Sequence, residues 1–215
     1  VSKVVQGQAT FDLVVRYDPA VRGNLDSGSD QFYTPRFIRE WIGPVDLDPC
    51  ADPERRVDAR SHFVGLEGED GLLRAWGPSG LWSDGHTGVV YVNPPYNRDA
   101  ESGESNLARW TAKCVREYRQ GHVDCVVALI PIRCSESYWW GKDGIFESAA
   151  WLLHIRGRIR FENAAGCATA QGATFASGLV VWGTSLKAQR LVQRVCKAAG
   201  DQVKAVRLDR RGVEP

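Results

Sequence analysis

No run of apolar residues in this chain approaches the eighteen that mark a membrane-spanning helix. Its first fifteen residues, VSKVVQGQATFDLVV, lack the apolar stretch and cleavage site of a secretory signal, so none is expected. Six cysteines are present, yet no two form a CxxC pair, and the four histidines are equally scattered. Zinc sites normally show close ligand pairs, so no metal is expected. A chain of 215 residues needs no disulfide to fold. Cys50, Cys114, Cys125, Cys134, Cys167 and Cys196 therefore read as reduced thiols, mostly in the core, and the expected compartment is the cytoplasm. Internal repeats are absent as well, and the length suits one well-packed core rather than two.

Net charge is also scarce, at +1, but it is unevenly spread. Residues 1–150 sum to −6 and residues 151–215 to +7. The basic part includes Arg156, Arg158 and Arg160 in HIRGRIRF, and Arg207, Arg210 and Arg211 near the end. A positive side on a nearly neutral protein fits a polyanionic partner, and an ordinary solvated surface too. The spacing of two predicts one strand face for Arg156, Arg158 and Arg160, opposite buried Ile155, Gly157 and Ile159.

What the chain does have is an alternation of apolar strands and amphipathic helices. Residues 1–30 read as an arm or edge element, with FDLVV its one apolar patch, and residues 31–215 as a single domain. In QFYTPRFIREWI, Thr34 is expected to cap a helix with Pro35 at its first position, and Phe37, Ile38 and Trp41 share a face. GPVDLDPCAD reads as a buried strand opening into a functional loop at Asp48-Pro49-Cys50. A strand near Ser61–Val64 and a short helix follow; Asp70 would cap it, with Leu72, Leu73 and Trp76 inward. GVVYV, VDCVVALIP, WLLHI, RIRF and GLVVW read as strands, with VKAVRL a last one. Helical spacing marks Leu107–Tyr118, ended by Gly121, and Leu186–Ala199. The fold class is α/β, with a mostly parallel or mixed sheet. NRDAESGESN has almost nothing to bury and reads as a mobile loop over the site, residues 97–106.

Asn93-Pro94-Pro95-Tyr96 is the sharpest chemical feature. It follows an apolar strand directly, where α/β proteins place ligand-binding residues. Two prolines supply no backbone donor and restrict the turn, leaving their carbonyls and the Asn93 side-chain oxygen as acceptors. An exocyclic amino group awaiting methylation needs such acceptors to orient its hydrogens, and Tyr96 offers a ring for stacking on a base. A rigid proline turn with Tyr96 in a packing role is the alternative reading of the same four residues.

From Asp30 to Trp182 the chain resembles phage-type DNA N6-adenine methyltransferases, within the wider group of S-adenosylmethionine-dependent amino-methyltransferases. Thr34-Pro35, Asp48-Pro49-Cys50, DGLLRAW, Asn93–Tyr96, VVALIP, Trp139-Trp140 and GRIRF carry the likeness, in that order. The resemblance implies a Rossmann-like methyltransferase fold, with helices on both faces of the sheet. It implies S-adenosylmethionine held by Thr34, Pro35, Asp48, Pro49, Cys50 and Asp70, the last near the cofactor adenine. Asn93, Pro94, Pro95 and Tyr96 become the catalytic residues, with double-stranded DNA as partner, a flipped target base, and a bacterial or phage-infected cell as setting. The acidic-Pro segment continues as CADPERR rather than as the Gly-rich loop of larger relatives, which leaves the ribose contact open between Asp58 and Glu67.

Other readings stand beside this one. The same acceptors suit cytosine N4, an RNA base or a glutamine side chain, and a protein that merely binds DNA could retain the fold. Target recognition is expected in the Asn97–Asn106 loop and between Ile132 and Phe161. The oligomeric state stays open.

Overall fold

The computed structural model describes residues 32–65, 70–77 and 88–208. FDLVV, Glu67, Arg210 and Arg211 lie outside them. Helix α1 (Arg36–Ile42) leads into strand β1 (Val45–Asp48), followed by β2 (Ala59–His62) and β3 (Val89–Val92). Next come α2 (Asn106–Arg119), β4 (Cys125–Pro131), the short α3 (Ile145–Ser148) and β5 (Trp151–Ile155). The chain continues through β6 (Ser177–Trp182), α4 (Leu186–Ala199) and β7 (Val203–Arg207). The strands form one seven-stranded sheet in the order β2-β1-β3-β4-β6-β5-β7.

Strands β1 to β4 are mutually parallel, whereas β6 runs against both β4 and β5, and β7 against β5. The sheet is thus mixed: one half is parallel and the other antiparallel. Every residue of β4 and of β6 is buried, which is why both appear in the sequence as unbroken apolar runs. The alternate faces of the strands feed two cores. Tyr91, Val127, Leu129, Leu153 and Val181 pack with Ile38, Trp41 and Ile42 of α1 and with Leu191 and Val195 of α4. Val90, Val92, Val126, Ala128 and Val180 face the other way, onto Leu107, Trp110 and Cys114 of α2 and Ile145 of α3. Helices therefore cover both faces. None of the described helices is long and apolar enough to cross a membrane.

Two helix termini follow from local chemistry. The Ser105 and Ser185 hydroxyls accept from the Ala108 and Ala188 amides and so cap α2 and α4. Gly121, at φ 71°, closes α2 by donating its amide to the Tyr118 carbonyl.

Three expectations need correction. Thr34 does not cap α1: Pro35 is the cap residue, and the buried Thr34 hydroxyl lies 2.8 Å from the Tyr91 hydroxyl instead. The first-turn amide of Arg36 finds the Glu162 carboxylate, at 2.6 Å. Residues 70–77 form a turn rather than a helix, because Trp76 donates its indole N–H to the Gly71 carbonyl and its amide to Glu117 of α2. That anchoring buries Trp76 and leaves Leu73 exposed. RIRF is not a strand either. Gly157, itself exposed, turns the chain at φ 78°, and beyond it Ile159 and Phe161 accept from Ala173 and Thr169 rather than extending the sheet.

Candidate active site

The carboxyl ends of β1, β3 and β4 share one edge of the sheet, and nearly every residue singled out from the sequence reaches it. Asp48 closes β1, and its carboxylate accepts from the Cys50 amide at 3.1 Å, which folds the Asp48-Pro49-Cys50 turn back on itself. Asp48 is 3% exposed. The turn carrying Asp70 lies directly against it: a Cβ on Gly71 would sit 2.0 Å from the Pro49 carbonyl oxygen, so only glycine permits this approach. Asp70 is exposed, and its side chain accepts from the Leu72 amide at 2.7 Å. Thr34 and Pro35 are buried at the same edge through the Thr34–Tyr91 contact. Asp48, Cys50, Asp70 and Thr34 thus lie at one edge of the sheet, near the end of β3.

Asn93-Pro94-Pro95-Tyr96 leaves β3 at the heart of this edge. Asn93 donates from Nδ2 to the Phe32 carbonyl at 2.7 Å, and the Tyr96 hydroxyl stands 2.9 Å from Asn93 Oδ1 and 3.0 Å from the Leu129 carbonyl of β4. The Tyr96 ring stacks on Phe32, with centroids 5.5 Å apart and planes at 28°, and meets Phe161 and Phe175 edge to face. The tyrosine is therefore tied into the core on one side. It also lines a cavity of ≈ 130 Å³ with Asn97, Arg98, Arg133, Glu136 and Tyr138. Burial pushes the Tyr96 and Tyr91 phenols well above their ordinary range, so both remain neutral.

A larger hollow of ≈ 460 Å³, lined by Tyr118, Arg119, Asp124, Thr184 and Ser185, lies at the amino ends of the parallel strands. It is far from the convergent acceptors and is wide open, and the site assignment follows the acceptors. Among the described residues no three His, Cys, Asp or Glu side chains cluster as a metal site would require.

Several participants were not singled out from the sequence. Phe32, Tyr91, the Leu129 carbonyl, Phe161 and Phe175 enter the site only through tertiary contacts; Tyr91 alone had a local signal, as the one polar group inside GVVYV. Asp58 is the converse case. Its carbonyl accepts from Val45 at the start of β1, which puts it at the amino edge, away from the site. Arg156, Arg158 and Arg160 are all exposed just past the carboxyl end of β5, hence on the site's edge of the sheet. Arg156 pairs with Asp201 at 3.4 Å; among the described residues Arg158 and Arg160 have no ion-pair partner. Of the two tryptophans that sequence left ambiguous, Trp139 is wholly buried and Trp140 is exposed.

Residues 24–204 match the family model described as DNA N-6-adenine-methyltransferase (Dam). No curated protein matches the chain closely enough to count as a relative.

Proposed function

Because the chain belongs to the DNA N-6-adenine-methyltransferase (Dam) family, we propose that it transfers a methyl group from S-adenosylmethionine to N6 of adenine in double-stranded DNA. The observation that carries the reading is Asn93 Oδ1, an acceptor just past the carboxyl end of β3 and in contact with Tyr96. We also read the sheet as Rossmann-like, since parallel β2-β1-β3-β4 put their carboxyl ends on the one edge that carries Asp48 and Asn93.

The donor set suits the cofactor. A cationic sulfonium and its ammonium match the buried Asp48 carboxylate; the amino group of an adenine matches the exposed Asp70 carboxylate, and Gly71 keeps the two turns in contact. We assign Thr34, Pro35, Pro49 and Cys50 to the same site, since they lie at the same edge of the sheet. When bound, the cofactor supplies an electrophilic methyl group.

The chain's own residues do the rest. Arg158 and Arg160 contact backbone phosphates while the target adenine leaves the stack. Asn93 Oδ1 and the Pro94 carbonyl take the two N6 hydrogens, turning the nitrogen lone pair toward the methyl donor, and Tyr96 carries the base on its open face. Adenine N6 is a weak nucleophile, so orientation and the acceptors supply much of the rate. The added proton leaves readily once the nitrogen is cationic, and no general base is assigned.

Methylation with a radiolabelled donor separates this reading from its neighbours. Unmethylated duplex DNA of mixed sequence should take label in adenine and not in cytosine. Label in cytosine alone would move the reaction to cytosine N4, and label only in RNA would change the substrate.

A further inference from the structure

Asn93 and Tyr96 touch each other, and the atoms involved decide how the Asn93 carboxamide faces. The Phe32 carbonyl oxygen is 2.7 Å from one end of it. A carbonyl only accepts, so the group against it has to be the NH2. The other end, Oδ1, meets the Tyr96 hydroxyl at 2.9 Å. That hydroxyl is equally close, at 3.0 Å, to the Leu129 carbonyl in the middle of the sheet. One phenolic proton therefore faces two acceptors.

Resting on the adenine-methylation reading, we propose that Tyr96 is a positioning residue in addition to a stacking surface: its hydroxyl and the Phe32 carbonyl clamp the Asn93 carboxamide from opposite ends, and the hydroxyl rotates to the Leu129 carbonyl as a substrate amino group claims Asn93 Oδ1. No bond to hydrogen breaks in this step; only the C–O torsion of the phenol changes. The clamp holds the NH2 end of Asn93 on the Phe32 carbonyl and, once the hydroxyl has turned away, leaves the oxygen for the substrate. A base edge bearing an amine is thereby accepted, and one bearing a carbonyl at the same place meets oxygen against oxygen. Burial keeps the Tyr96 phenol protonated, so the donor is always present. Phe32 completes the arrangement by stacking on the ring whose hydroxyl it complements.

Tyr96→Phe keeps the ring and its contacts with Phe32, Phe161 and Phe175 and removes only the hydroxyl. Its kcat should fall about tenfold, the value of a lost hydrogen bond, while KM for DNA and cofactor affinity stay the same. Asn93→Asp puts a carboxylate oxygen against the Phe32 carbonyl, where only the protonated acid can donate. Its activity should therefore fall as pH rises through a raised carboxyl value, a limb the unaltered chain lacks. Hydrogen exchange of the Asn93 side-chain amide, followed by NMR, reads the clamp without turnover: it should be slow in the unaltered chain and faster in Tyr96→Phe. Unchanged kcat and unchanged exchange in Tyr96→Phe would overturn the proposal, as would a pH-independent Asn93→Asp enzyme. An unaltered chain that fails to methylate DNA would strike the functional reading alone, because the exchange comparison would still decide the clamp.

Discussion

On the proposed reading Asn93 is the side chain on which the chemistry turns, and its role differs from that of the residues assigned to the cofactor. Replacing it with alanine removes an acceptor for the substrate without touching Asp48 or the Asp70 turn. The expected result is a loss of about 10²–10³ in kcat, comparable to deleting one preorganised hydrogen-bonding group elsewhere. Cofactor affinity, measured by calorimetry, should hold. Gly71 gives the opposite pattern. Gly71→Ala drives a Cβ into the Pro49 carbonyl, which has to move along with the Asp48 turn. Cofactor affinity should then drop with little change in the rate at saturating cofactor. The place of Asn93 at the end of a buried strand was legible in the sequence, because an apolar run leads straight into two turn-forming prolines. The Phe32 carbonyl, which orients it, was not legible, since it belongs to a residue 61 positions away. A hydrogen bond of that kind exists only once the chain has closed.

The regular elements that bury a periodic apolar pattern are where sequence and structure agree best. Leu186–Ala199 is helical from end to end, and VVALIP and GLVVW lie in the two strands buried throughout. Agreement fails where tertiary contacts override local pattern. RIRF alternates as a strand should, but Gly157 turns it away from the sheet. Residues 70–77 carry helix-like spacing, but α2 fixes them through a buried charge cluster. Lys113 bridges Glu117 at 2.7 Å and donates to the Arg74 carbonyl, and Glu117 also holds the Trp76 amide and His122. Both charged partners are 3% exposed, so Lys113→Ala should destabilise the protein by about 3–5 kcal/mol in chemical denaturation, chiefly by stranding the carboxylate. Burial alone would raise the Glu117 carboxyl, and the hydrogen bonds from Lys113, His122 and Trp76 outweigh it and hold it low. A carboxyl lowered by folding stabilises the protein above its ordinary value and loses that contribution as pH falls from there through the lowered one. The melting temperature should thus decline below about pH 4.5, and less steeply in Glu117→Gln.

At the scale of the whole molecule, the sheet gathers at one edge what the sequence spreads over more than a hundred residues. Thr34, Asp48, Asn93, Leu129 and Phe161 meet there because β1, β3 and β4 are parallel, and a parallel sheet puts every strand's exit loop on the same side. The basic excess of residues 151–215 reaches the same edge through Arg156, Arg158 and Arg160. Their charges were legible in the sequence, but their relation to the site was not, because it depends on β5 entering the sheet beside β6. If Arg158 and Arg160 meet phosphates, removing both should lower the slope of log K against log salt by about 2. Arg156→Ala should do less, since Asp201 already engages that guanidinium. Methyl transfer itself is the most direct test of the account: incubate the protein with S-adenosylmethionine and unmethylated double-stranded DNA, digest to nucleosides, and analyse by mass spectrometry. N6-methyladenine that disappears in Asn93→Ala is the predicted result; DNA that yields no methylated adenine, although the protein binds the cofactor, would contradict it.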